Sequence, residues 1–146
     1  MLASCLKRED YPDSPQLSYN GFSIEQSNGT RKGVLTLSFT DGDGNVGSKS
    51  GDTLPNLYLY PYFNIGGTFR LDTLDGYDEP INFNGMIPNL SIPGSKKEMP
   101  QKGDINYTFD LDMFDLAPSK TIYFECWITD QNGAASNHVQ TPVLNF

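Results

Sequence analysis

The stretch "GVLTLSFTDGDGNVG", residues 33–47, decides the fold. Its first half alternates. Leu35, Leu37 and Phe39 fall on one face, and Thr36 and Ser38 on the other. That is the period-two pattern of a strand with one buried side. The strand then runs straight into Asp41-Gly42-Asp43-Gly44-Asn45, where every residue is an oxygen ligand or a glycine. Such a segment is either a sharp turn or a cation loop.

The same alternation recurs outward from this stretch. In "NLYLYPYFNI" (56–65), Leu57, Leu59, Pro61 and Phe63 share one face, while Tyr58, Tyr60 and Tyr62 share the other. Pro61 cannot donate to a ladder, which puts it at an edge or a bend. "DINYTFDL" (104–111) groups Ile105, Tyr107, Phe109 and Leu111. "TIYFECWITD" (121–130) groups Ile122, Phe124, Cys126 and Ile128 against Tyr123, Glu125 and Trp127. "QLSYNGFSIE" (16–25) is a further strand, interrupted at Asn20-Gly21 by a turn or bulge, and "SNGT" (27–30) is a hairpin turn. Residues 68–71 and 139–146 supply shorter strands. Residues 72–102 are rich in Pro, Gly and Asn around one apolar piece at 81–87, and residues 112–118 allow one helical turn. About seven strands separated by turn clusters predict an all-β antiparallel sandwich. Residues 1–15, with Pro12 and Pro15 and no apolar period, read as a tether, and residues 16–146 as the sandwich domain.

Composition narrows the function classes. A chain of 146 residues is one domain that can bury a core without disulfides or metals. The net charge is −8 and the ten basic residues are scattered. Nucleic acids reward clustered Lys and Arg through counterion release, so nucleic-acid binding is not expected. No apolar run is long enough to span a bilayer as a helix.

The two cysteines lie far apart. Cys126 is on the apolar face of a strand and is expected to be buried and inert. Cys5 ends "LASC" (2–5), which resembles a bacterial lipobox whose Cys becomes lipidated. The basic and apolar regions of a signal peptide do not precede it, so the expectation is a chain cut just ahead of the lipobox. The anchor implied is outer-membrane lipid through Cys5. A disulfide between Cys5 and Cys126 would drag the tether into the core, and two remote Cys with one His cannot build a four-ligand zinc site.

The acidic loop has EF-hand spacing at Asp41, Asp43 and Asn45, with Asp52 at the twelfth place. The sixth place, which needs glycine, is Val46, and no helical pattern flanks the loop, so it is not an EF-hand. A second strand ends alike, in "WITDQNGA" (127–134). If 33–40 and 121–130 are the B and F strands of the sandwich, both exit loops lie at one pole. Asp41, Asp43, Asn45, Asp130 and Asn132 then converge as a calcium site, with Asn137 near. The alternative is turn chemistry: Asp and Asn cap turns through their own backbone, and both readings stay open here.

Two further constellations were weighed. Tyr58, Tyr60 and Tyr62 form an aromatic row for a sugar or a protein, unless residues 72–102 cover it. Asp110, Asp112 and Asp115 are the acids available for glycoside hydrolysis, but they read as solvated strand ends. His138 is alone and expected to be exposed, and no nucleophile or phosphate-loop motif is present.

Three segments carry a family resemblance: "LTLSFTDGDGNVG" (35–47), "MIPNLSIPGSKK" (86–97) and "YFECWITDQNGAASN" (123–137). With "LASC" and the closing "TPVLNF", they resemble a family of uncharacterised Gram-negative lipoproteins with an immunoglobulin-like fold. The resemblance implies an immunoglobulin-like or fibronectin-III-like sandwich, lipid-anchored at the outer membrane on its surface or periplasmic side, with no established enzymatic activity. The expected role is adhesion, scaffolding or ligand binding, with a protein or glycan as ligand and calcium as the one candidate cofactor. The alternative is a carbohydrate-binding accessory module of a surface glycan-uptake system.

Overall fold

The structure is a computed structural model that describes residues 9–73, 77–90 and 99–146. Cys5 and much of the 86–97 segment lie outside the described residues.

The elements are β1 (Gln16–Ser27), β2 (Thr30–Asp41), β3 (Leu57–Ile65), β4 (Thr68–Arg70), β5 (Gln101–Asp110), the 3-10 turn Asp112–Leu116, β6 (Thr121–Ile128), β7 (Val139–Gln140) and β8 (Leu144–Asn145). One antiparallel sheet has the order β1-β2-β5. The other has the order β4-β3-β6-β7, with β8 also pairing β6. This is the A-B-E and C′-C-F-G arrangement of a fibronectin-III-like sandwich, with β2 as B and β6 as F.

Local chemistry accounts for most of the register. Asn28 and Gly29 both have positive φ, the primed turn that suits a hairpin's twist, and they join β1 to β2. The Asn20-Gly21 interruption is a bulge: the β1–β2 register shifts between Tyr19 and Gly21 and the strand continues. Pro61 sits within β3, whose inner partner is β6. Leu57 and Leu59 turn their N–H groups away from β6, onto the Gly85 carbonyl and Asn84 Oδ1. Pro61 follows at the same phase, between the ends of segment 81–85 and β4, so its missing donor costs no β3–β6 bond. The edge expected from sequence is thus a short gap along one side of the strand.

The inner faces carry the core. Leu35, Leu37, Leu57, Leu59, Phe63, Ile122, Phe124 and Ile128 are wholly buried. Segment 81–87 adds Ile81, Phe83 and Ile87 to this core. Phe124 is the centre of an aromatic group, with Phe109, Phe22, Phe83 and Phe114 rings at 5.2, 5.9, 6.0 and 6.0 Å. Side-chain amides close the sandwich where strand pairing stops. Asn137 accepts from Leu17 N–H (2.7 Å) and donates to the Leu17 carbonyl (2.9 Å), tying the end of β6's exit loop to β1. Asn56 does the same for Ile87, at 2.6 and 3.1 Å. Each amide stands in for a missing backbone partner, so no buried N–H is left unbonded there.

Phe124→Ala removes the ring that five core elements share. We expect it to destabilise the domain by about 3–5 kcal/mol, against under about 0.5 kcal/mol for Ile24→Ala at an exposed position. Urea denaturation of both variants checks this, and equal midpoints would contradict it.

Candidate functional site: a carboxylate centre between two loops

The ends of β2 and β6 meet at one pole. The Gln131 N–H donates to the Asn45 carbonyl at 3.1 Å, which joins the two exit loops. Asp41, Asp43 and Asp130 each bring a carboxylate oxygen into a set whose members all lie within 4.8 Å of one another. Asp41 is wholly buried and Asn45 and Asp130 nearly so.

The loop packs this tightly because its glycines leave room for other segments. A Cβ at Gly42 would lie 2.3 Å from the Tyr11 carbonyl oxygen. A Cβ at Gly44, where φ is +70°, would lie 2.0 Å from the Met99 carbonyl oxygen. The "DGDG" pattern therefore places carboxylates on alternate residues while the residues between them accept chain from outside.

Turn chemistry is present, and it engages only part of the oxygen set. Asp41 Oδ2 accepts from the Asn45 N–H (2.8 Å), and Asp43 Oδ2 accepts from Asn45 Nδ2 (2.8 Å). Asp130 Oδ1 accepts from the N–H groups of Asn132 and Ala134, both at 2.8 Å. Asp41 Oδ1 and Asn45 Oδ1 are buried with no hydrogen-bond partner. Gln101, opposite Asp41 in the β2–β5 ladder, also has a buried Oε1 with no partner. Directly opposed residues share a sheet face, so Gln101 reaches the same side as Asp41.

The electrostatics follow from this packing. Burial raises the Asp41 carboxyl from an ordinary 3.8 to about 6; the Asn45 N–H works against the shift, and the charge of Asp43, a hydrogen bond between the Asp41 and Asp43 carboxyls when one holds a proton, and the charge of Asp130 add to it. Calcium binds oxygens at about 2.3–2.6 Å, so oxygens on opposite sides of one ion stand about 4.8 Å apart. The carboxylate oxygens of Asp41, Asp43 and Asp130 lie no farther apart than that.

Not every residue of the expected site joins it. Asn132 is exposed and enters through its backbone N–H on Asp130, because its side chain points off the turn that Asp130 caps. Asn137 holds Leu17. Asp52 accepts from the Lys49 N–H in its own turn. Gln101 carries no signal in the loop motifs, and only the β2–β5 register sets it opposite Asp41.

The outer face of the five-stranded sheet carries the second candidate surface. The β3–β6 register sets Tyr58 against Trp127, Tyr60 against Glu125 and Tyr62 against Tyr123. Trp127 stacks with Tyr58 at 5.2 Å, Tyr60 at 5.4 Å and His138 at 4.3 Å, with planes within 9° of parallel. Tyr62 stacks with Tyr123 at 4.9 Å. β3 and β7 flank β6, so the indole lies between the two tyrosines and His138, and the rings stand up from the sheet face to face. Glu125 accepts from the Tyr62 hydroxyl at 3.0 Å and faces His138 Nδ1 at 3.3 Å. In segment 72–102, Ile81, Phe83 and Ile87 turn into the core, while Tyr77, Met86 and Met99 are exposed. Asn84 Nδ2 donates to the Tyr60 hydroxyl at 3.2 Å.

The remaining candidates have structural partners. Asp115 pairs with Arg31 at 2.6 Å, and Asp110 and Asp112 accept from the N–H groups of Asp112 and Arg31. Cys126 is 1% exposed, and burial pushes its thiol up to about 12. Comparison with known proteins finds no matching family model, no matching curated protein and no matching solved structure.

Two outcomes follow from these environments. Because folding raises the Asp41 pKa, the metal-free folded chain binds more protons than the unfolded chain between about pH 4 and 6. Its contribution to stability therefore falls as pH rises through that window. Melting temperatures of the metal-free chain across pH 4–7 should show this fall, and Asp41→Asn should flatten it; equal slopes would contradict the assignment. Native Cys126 should react with a thiol reagent at least about 100-fold more slowly than in urea, because neither exposure nor thiolate is available.

Proposed function

We propose that this chain is a non-enzymatic, lipid-anchored domain of the cell envelope that holds calcium between two loops and binds a partner through its outer aromatic face. The reading is carried by one observation: the wholly buried Asp41, whose Oδ1 has no hydrogen-bond partner, brings a carboxylate oxygen within 4.8 Å of oxygens from Asp43 and Asp130. Without a cation such a set repels itself in a low-dielectric setting. With one, Asp41, Asp43 and Asp130 supply charge, Asn45 and Gln101 supply neutral oxygens, and water completes the shell.

The lipid anchor rests on "LASC" and on the resemblance to outer-membrane lipoproteins. The partner surface is Tyr58, Tyr60, Tyr62, Tyr123 and Trp127. Their ring faces lie against one another, so a ligand meets ring edges, hydroxyls and the indole N–H. That favours a protein partner over a sugar ring, which stacks on an open aromatic face.

Calorimetric titration of the calcium-stripped chain tests the reading. One site per chain is expected, with a melting temperature raised by several degrees at millimolar calcium and restored to its starting value by chelation. Asp41→Asn should lower the affinity at least about 10-fold, as loss of a charged ligand in a buried shell. Absence of binding heat together with an unchanged melting temperature would reject the calcium site.

A further inference from the structure

The N-terminal segment is seated on the same loop. The Gly42 N–H, between the two loop carboxylates in sequence, donates to the Pro12 carbonyl at 2.7 Å. The Tyr11 and Pro12 carbonyl oxygens lie 2.3 and 2.7 Å from where a Gly42 Cβ would be. Three residues earlier, both Glu9 carboxylate oxygens accept from Lys102 Nζ, at 2.7 and 2.9 Å, and the Tyr11 hydroxyl donates to Glu9. Lys102 stands opposite Thr40 in the β2–β5 ladder, one register step from the Asp41–Gln101 pair. The segment is therefore held at two points. One is an exposed ion pair, which is weak in water. The other is the backbone of the carboxylate loop itself.

The two events share one structural element. Pro12 can bond only where Gly42 presents its N–H, and Gly42 is placed by the two Asp residues that flank it. When Asp41, Asp43 and Asp130 repel, the loop relaxes outward and Gly42 moves with it. When a cation draws them together, Gly42 is fixed. We propose that calcium binding at the carboxylate centre and seating of residues 9–12 on the loop are one coupled equilibrium, so that calcium sets the direction in which the N-terminal segment leaves the domain. This inference rests on the calcium reading above. Coupling is reciprocal: whatever calcium does for the segment, the seated segment does for calcium affinity. For an anchored domain, the exit direction of the tether decides which face is turned to the membrane.

The test uses the full chain carrying Cys5→Ser, with a spin label on Asp13→Cys; Cys126 is buried and stays unlabelled. Calcium chloride is titrated while calorimetry reports affinity, the label reports mobility of the segment, and hydrogen exchange reports the Gly42 amide. Calcium should immobilise the label and slow Gly42 exchange at least about 10-fold. Gly42→Ala, which leaves no room for Tyr11 and Pro12, should keep the label mobile and weaken calcium about 5- to 10-fold. Pro12→Gly at an exposed position changes no charge and loosens the segment, so it should shift both readouts the same way should Gly42→Ala fail to fold. Calcium binding with unchanged label mobility and unchanged Gly42 exchange overturns the coupling and leaves the calcium site standing. Wild-type calcium affinity in Pro12→Gly with a mobile label overturns it equally. Absence of calcium heat in the parent chain overturns both.

Discussion

The burial of the 41–47 loop is the constraint on which the rest of the molecule depends. Asp41 and Val46 are wholly inaccessible, and chain arrives on the loop from four directions. Pro12 bonds Gly42, Met99 packs on Gly44, Gln131 bonds the Asn45 carbonyl, and Leu90 donates to the Val46 carbonyl. Both sheets, the N-terminal segment and the 77–90 crossover therefore share one junction. A loop with side chains at residues 42 and 44 could not be that junction, because backbone carbonyls occupy the space where their Cβ atoms would stand. The glycines do not merely turn the chain; they let the N-terminal segment and the Met99 backbone close over it.

The polar groups at this junction follow a rule seen elsewhere in the fold. Where strand pairing stops, an amide or hydroxyl side chain completes the backbone's hydrogen bonds: Asn137 for Leu17, Asn56 for Ile87, Asn84 for Leu59, Ser136 for Ile128. Each of these closures is satisfied. The carboxylate pole is the exception. Its carboxylates satisfy loop N–H groups with one oxygen and turn others toward each other. There the Asp41 and Asn45 Oδ1 atoms stay without a hydrogen-bond partner in a buried place, which is the feature that the proposed calcium site accounts for.

Much of this architecture was legible in the sequence because a sandwich strand buries one face and period two records it. Leu35, Leu37, Phe39 and Ile122, Phe124, Cys126, Ile128 could be assigned inward from alternation alone, and the likeness between "SFTDGDGN" and "WITDQNGA" put Asp41, Asp43 and Asp130 at one pole. What was hidden depended on register. Gln101 faces Asp41 only because β5 pairs β2 with that offset. Tyr123 and Trp127 were visible on the outward side of β6, but their union with the β3 tyrosines needed the β3–β6 pairing. Asn137 was expected near the carboxylates from loop proximity. It turns instead to Leu17, because the edge of β1 has an N–H and a carbonyl that no strand reaches.

The turn reading and the cation reading of "DGDGN" are not rivals, because a carboxylate has two oxygens. Turn capping needs one acceptor directed at a nearby N–H, and Asp41 Oδ2 and Asp130 Oδ1 fill that role. Capping fixes each carboxylate's orientation at low cost, since the donors lie within the same turn. The second oxygen then points where the loop geometry sends it, and in Asp41 it ends buried without a partner. Turn chemistry alone is equally well served by Asn or Ser, which carry no buried charge. Aspartate at 41, with its neighbours at 43 and 130, costs the metal-free fold a desolvated and repelled carboxylate. A cation among these carboxylates would offset that cost, as a proton on Asp41 does near and below pH 6, so Asp rather than Asn at position 41 is the choice that the proposed calcium site explains.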